Sequence, residues 1–182
     1  MNRLASRRAV LALAALLLPA CAAASGGSAR GTPPLTAAQV QSVYERFRAL
    51  DGAWTGTSTK GWTDAVTYRT VADGSAVMET SDLAHEGTTM VTMIHPDGDR
   101  LLLTHYCAAH NQPRLQASRV DGNEVTFTFL DGTNLPSRDT GHMDKVLVRF
   151  EDGDHVTARW SWYQDGDEQW MEEVHLTRVK PG

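Results

Sequence analysis

Along most of the chain, hydrophobic and polar residues alternate with a period of two. Val125, Phe127 and Phe129 share one face of an extended segment, while Thr126 and Thr128 share the other. Val146, Val148 and Phe150 oppose Lys145 and Arg149 in the same way, and Trp170, Val174 and Leu176 oppose Glu173, His175 and Thr177. Asp-Gly pairs punctuate these runs at 51–52, 73–74, 97–98, 121–122, 131–132, 152–153 and 165–166. Both residues tolerate the positive φ of tight hairpin turns, and most of the pairs separate runs rich in Val, Thr, Phe, Trp and Leu. The pattern predicts strands near 53–60, 64–72, 75–83, 88–96, 99–107, 113–120, 123–130, 142–151, 154–164 and 167–179. Only one segment departs from it. Val40, Val43, Tyr44, Phe47 and Leu50 recur at helical spacing, Thr36 and Gln39 stand as a capping box, and Asp51-Gly52 ends the helix.

Without crossover helices the strands pair antiparallel, hairpin by hairpin. A meander of about ten strands has two edges to hide, and closing into a barrel removes them. The expected fold is therefore all-β: an antiparallel meander β-barrel with one N-terminal α-helix over an open end. A two-sheet sandwich is the alternative.

The ends of the chain read differently. Arg3, Arg7 and Arg8 precede the apolar run 9–18, and Pro19 and small residues follow, as in a signal peptide over 1–20. "SRRAVLAL" resembles a twin-arginine signal, with ordinary export the alternative. "LPAC" (residues 18–21) resembles a lipobox, which makes Cys21 the candidate lipidation site, although the alanines at 22–24 equally suit ordinary signal peptidase. Residues 21–34 then form a flexible tether and 35–182 the helix and barrel. These features predict an exported protein of the periplasm or outer membrane, held to the membrane through a lipid anchor alone. Without the three leader arginines, 14 basic residues face 22 acidic ones, a net charge of −8. That balance argues against a nucleic-acid partner. With Cys21 lipidated or removed, Cys107 stands alone, so no disulfide framework exists.

"Gly52-Ala53-Trp54-Thr55-Gly56" resembles the G-x-W-x-G that opens the first strand of calycins: lipocalins, fatty-acid-binding proteins and nitrobindin-like barrels. More broadly, residues 46–180 resemble a family of uncharacterised bacterial exported proteins of lipocalin-like fold. The likeness is carried by residues 74–80, 90–93, "LTHYC" (103–107), "NQPR" (111–114), "GTNL" (132–135) and the closing "LTRVK" (176–180). It implies the barrel and no established activity.

Chemistry concentrates in "LLLTHYCAAHNQPRL", residues 101–115. A period of two puts Leu101, Leu103, His105 and Cys107 on one face, which reads as interior, and Leu102, Thr104 and Tyr106 on the other. One reading is a polar pocket lining for a small, partly apolar or anionic molecule. Arg114 meets an anionic group, Asn111 and Gln112 fix orientation, and His105 or Tyr106 adds a hydrogen bond. A second is an enzyme or metal site built on His105, Cys107 and His110. A third is a structural envelope lipoprotein whose interior is filled, with Arg114 paired to a carboxylate such as Glu79 or Asp99. The likeness to nitrobindin-like barrels raises haem ligation by His175, which the alternation sets against the apolar face. No motif of a known catalytic class is present and no cofactor is expected. The five tryptophans read as core or rim, with Trp160 and Trp162 sharing a face.

Overall fold

The computed structural model describes residues 34–180. The expected signal peptide, Cys21 and all but the last residue of the expected tether lie outside the described residues. The helix α1 (Ala37–Arg48) starts at the capping box. The Thr36 hydroxyl accepts from the Gln39 N–H at 3.2 Å, and the Gln39 side-chain oxygen accepts from the Thr36 N–H at 2.9 Å. Two of the otherwise orphaned N-terminal donors are thereby satisfied.

Ten strands follow: β1 (Gly52–Ser58), β2 (Thr63–Val71), β3 (Ala76–Leu83), β4 (Thr88–Asp97), β5 (Arg100–Tyr106), β6 (Gln112–Asp121), β7 (Glu124–Thr133), β8 (His142–Phe150), β9 (His155–Gln164) and β10 (Asp167–Arg178). Each pairs antiparallel with its chain neighbours, and β10 returns to β1, closing the barrel. The fold is thus the all-β meander barrel with a single helix that the alternation implies, not a sandwich. Closure brings the two ends of the resemblance together. Trp54 stands opposite Arg178, Gly56 opposite Leu176 and Ser58 opposite Val174. The Arg178 guanidinium lies 4.3 Å from the centre of the Trp54 ring and donates to the carbonyls of Ala49, Asp51 and Gly153. Trp54 in turn donates its indole N–H to the Leu50 carbonyl at 2.8 Å. First strand, last strand and the segment after α1 are locked through the carbonyls of Ala49, Leu50 and Asp51.

The helix closes one end of the barrel. Val40, Val43, Tyr44, Phe47 and Leu50 are buried together with the inward side chains of the strands. Phe47 meets Phe127 and Phe150 edge-on, with ring centres 6.0 and 5.0 Å apart. Tyr44 donates to the Gly74 carbonyl in the β2–β3 connection, and Arg46 to the Gly122 carbonyl between β6 and β7. That half of the lumen is a packed core.

Two local expectations are corrected. Asp131-Gly132 does not turn the chain: both lie within β7, which runs on to Thr133 against Arg114, Pro113 and Gln112 of β6. The register of β10 against β9 shifts between Trp170 and Glu172, leaving Met171 as an extra residue. Such a bulge inverts the phase of the strand. Trp170 is therefore 40% exposed, with the Arg159 guanidinium over its ring at 4.1 Å, instead of joining the buried Val174 and Leu176.

Candidate ligand-binding cavity

The half of the lumen away from the helix is hollow. Its cavity measures about 230 Å³, more than the ~150 Å³ that accommodates benzene in an apolar protein interior. It reaches the β1–β2, β3–β4 and β5–β6 connections, where Trp62, Glu86, Ala108 and Ala109 border it. Trp62 stacks on His85 across two of these connections, ring centres 4.8 Å apart. One wall is apolar and aromatic: Trp160 and Trp162 of β9, Val174 and Leu176 of β10, with Met143 of β8 beside them.

The opposite wall is polar, and the strand register assembles it. Tyr68 of β2 pairs with Glu79 of β3, Glu79 with Thr92 of β4, and Thr92 with His105 of β5. Side chains in one register row on one face of a sheet are nearest neighbours, so the four form a belt across four strands. Thr92 Oγ1 and His105 Nδ1 share a hydrogen bond of 3.0 Å. His105 Nε2 has no partner among the described residues, although the ring is only 4% exposed. Burial holds this imidazole down at about 4, so it is neutral at physiological pH. Its ring sits 5.0 Å from that of Trp160. Burial, with the Asp64 carboxyl beside it, pushes Glu79 up to about 7.

Two further carboxyl groups enter from β2 and β10. Asp64 Oδ2 accepts from Ser81 at 2.6 Å, while the buried Oδ1 has no partner among the described residues. This side chain fits only because residue 56 is a glycine. A Cβ there would lie 1.8 Å from Asp64 Oδ1. Glu172 accepts from Ser58 at 2.5 Å. Among the described residues, no lysine or arginine lines the cavity.

Of the residues singled out in the sequence, His105 lines the hollow, as does Cys107 near its rim. The others are elsewhere. Tyr106 is 48% exposed on the outer face. Arg114 is also outside, where its guanidinium forms a two-pronged pair with Asp131, not with Glu79 or Asp99. Gln112 accepts from Thr133 and Asn134, tying β6 to the end of β7. Asn111 is buried in the β5–β6 connection and donates to the Gly141 carbonyl at 2.9 Å, clamping that hairpin to the start of β8. His110 is exposed in the same turn at φ 63°. The His110 N–H donates to the Cys107 carbonyl at 3.0 Å, but among the described residues no histidine side chain is hydrogen-bonded to the Cys107 thiol. Burial pushes its thiol up, away from the reactive thiolate. His105, Cys107 and His110 do not converge as a metal-binding group, nor does any other trio of His, Cys, Asp and Glu among the described residues. His175 lies on the outer face, half exposed, hydrogen-bonded to Thr157.

The sequence reading singles out neither Asp64 nor Glu172 and names Glu79 only as a partner for Arg114, yet the phase of all three marks them as inward. Glu79 is in step with Val77 and Leu83, Asp64 with Val66 and Tyr68, and Glu172 with Val174 and Leu176. An acidic residue in phase with buried apolar neighbours signals an inward carboxyl group. The chain matches no protein-family model, and a search of curated proteins finds no match either.

Proposed function

We propose that the protein is an exported, calycin-type barrel, anchored through a lipid on Cys21, that binds a small, partly apolar molecule in its lumen. The observation that supports ligand binding is the contrast within one wall-to-wall space. The hollow has tryptophan and methionine on one side and incompletely satisfied polar groups, His105 Nε2 and Asp64 Oδ1, on the other. A buried polar atom without a partner is costly unless something meets it. Enclosed, mostly apolar pockets with a few converging polar groups are the usual form of a small-molecule site. Export and anchoring rest on the leader arginines, the apolar run and the lipobox-like "LPAC". An anionic ligand would lack a counter-charge, because Arg114 faces outward and, among the described residues, no lysine or arginine lines the hollow.

Native mass spectrometry of the full chain taken from its own cells tests this reading. The expected result is a retained small-molecule adduct that disappears on unfolding. It should also be absent from Ala158→Phe, which places a ring in the hollow. Equal adducts on both proteins would contradict a lumenal site. A mature N-terminus other than a lipidated Cys21 in the same spectra would contradict the anchor.

A further inference from the structure

The charges around the hollow are of one sign. Asp64, Glu79 and Glu172 project from three strands, Glu86 stands at the rim, and among the described residues no lysine or arginine answers them from the lining. Glu172 has Ser58 and Asp64 has Ser81, both neutral partners. His105 in the wall is held neutral by burial. Carboxyl groups gathered in a partly enclosed space focus a negative potential there, strengthened by the low dielectric around them. An acidic cluster alone would say little. Here Asp64, only 7% exposed, keeps an unpartnered oxygen, and His105 keeps an unpartnered ring nitrogen in the same wall. Across from them stand the indoles of Trp160 and Trp162. Aromatic faces attract cations through the ring quadrupole, Trp most strongly, and a cation is the charge that carboxyl groups leave unsatisfied.

We infer that the cavity selects an organic cation: an ammonium group set beside Asp64 and Glu79, with its apolar body against Trp160 and Trp162. The inference rests on the ligand-binding reading above and narrows it to one chemical class. An anion of the same shape meets repulsion without a counter-charge. A neutral isostere keeps the apolar contacts and loses the charge-assisted hydrogen bonds.

Three probes of one shape separate these cases: phenethylammonium chloride, 2-phenylethanol and sodium 3-phenylpropionate, titrated calorimetrically into the full chain at pH 8. The ammonium is expected to bind about tenfold or more tighter than the alcohol, and the carboxylate to give no measurable heat. Glu79→Gln and Asp64→Asn should each narrow the gap between ammonium and alcohol. Alcohol or carboxylate binding as tightly as the ammonium overturns the cation assignment and leaves a lumenal site standing. No binding by any of the three overturns the ligand-binding reading itself. The wild-type series needs no variant, so a misfolded variant does not blunt the test.

Discussion

The two halves of the barrel lumen are built from the same ten strands and have opposite contents. At the helix end, Phe47, Phe127, Leu101, Leu115 and Val146 are essentially inaccessible and fill the space. At the far end the same strands carry Asp64, Glu79, Thr92 and His105 inward, and the space stays open. Four or fewer residues separate the two environments along each strand: Val77 from Glu79, Ile94 from Thr92, Leu101 from His105. The helix explains the difference. Its apolar stripe supplies the side chains that complete the core at one end, and the described chain has no counterpart at the other. A barrel of this width is not filled by its own strands alone.

The largest expected effect comes from breaking the filled half. Phe127→Ala removes a ring that is 0% exposed and touches Phe47. It should cost about 3–5 kcal/mol, read as a shift in the urea midpoint. Trp160→Ala in the open half, where the indole already borders empty space, should cost less than half as much. Equal losses would mean that the two halves are packed alike.

A pH series sharpens the contrast within the open half. Glu79 is raised from its ordinary 4.5 to about 7, so the fold favours its protonated form. Its contribution is present at acid pH and lost as pH rises through about 7. His105 is lowered from 6.5 to about 4, so the fold favours its neutral form. Its contribution is present above about 6.5 and lost as pH falls through about 4. Between 4.5 and 6.5 the two oppose each other. Glu79→Gln should therefore make melting temperature climb more steeply with pH than in the wild type over that window. His105→Gln should tilt it the other way. Parallel curves for all three proteins would contradict the burial of these groups.

Filling the hollow should do little to stability. Ala158→Phe in a close-packed core would cost about 1–3 kcal/mol through overpacking. Here the added ring meets open space, so thermal unfolding should stay within a degree or two of wild type, or rise. The smallest effect belongs to Arg114→Ala. Arg114 and Asp131 are both nearly half exposed, and such a pair contributes about 0–1 kcal/mol. Neither melting temperature nor probe binding should change appreciably.

The architecture was legible because alternation and Asp-Gly turns report on local geometry. Five of the nine strand connections carry an Asp-Gly pair, and the capping box places the start of α1 at Ala37, although the helix ends at Arg48, short of Asp51-Gly52. What escaped were events that leave no mark on the alternation. The extra residue at Met171 reversed the face of Trp170, and Asp131-Gly132 kept the extended conformation because β6 pairs with it there. For the site, the inward placement of Leu101, Leu103 and His105 followed from phase. Tyr106, Gln112 and Arg114 are neighbours of His105 in sequence and on other faces in space. Histidine, cysteine and arginine crowd one segment of the sequence, residues 105–114. The cavity is instead assembled by register from single residues on separate strands, Glu79 opposite Thr92 and Thr92 opposite His105, and one-dimensional clustering does not encode that.

The five tryptophans supply reporters for both halves and the outside. Trp54 is sealed at the helix end, Trp62, Trp160 and Trp162 border the hollow, and Trp170 lies on the outer wall. Assigned indole N–H resonances, followed by two-dimensional NMR as phenethylammonium chloride is added to the full chain, read all five at once. The account predicts saturable shifts at Trp62, Trp160 and Trp162 with Trp54 and Trp170 unmoved. Shifts confined to Trp170, or five resonances that stay where they began, would contradict it.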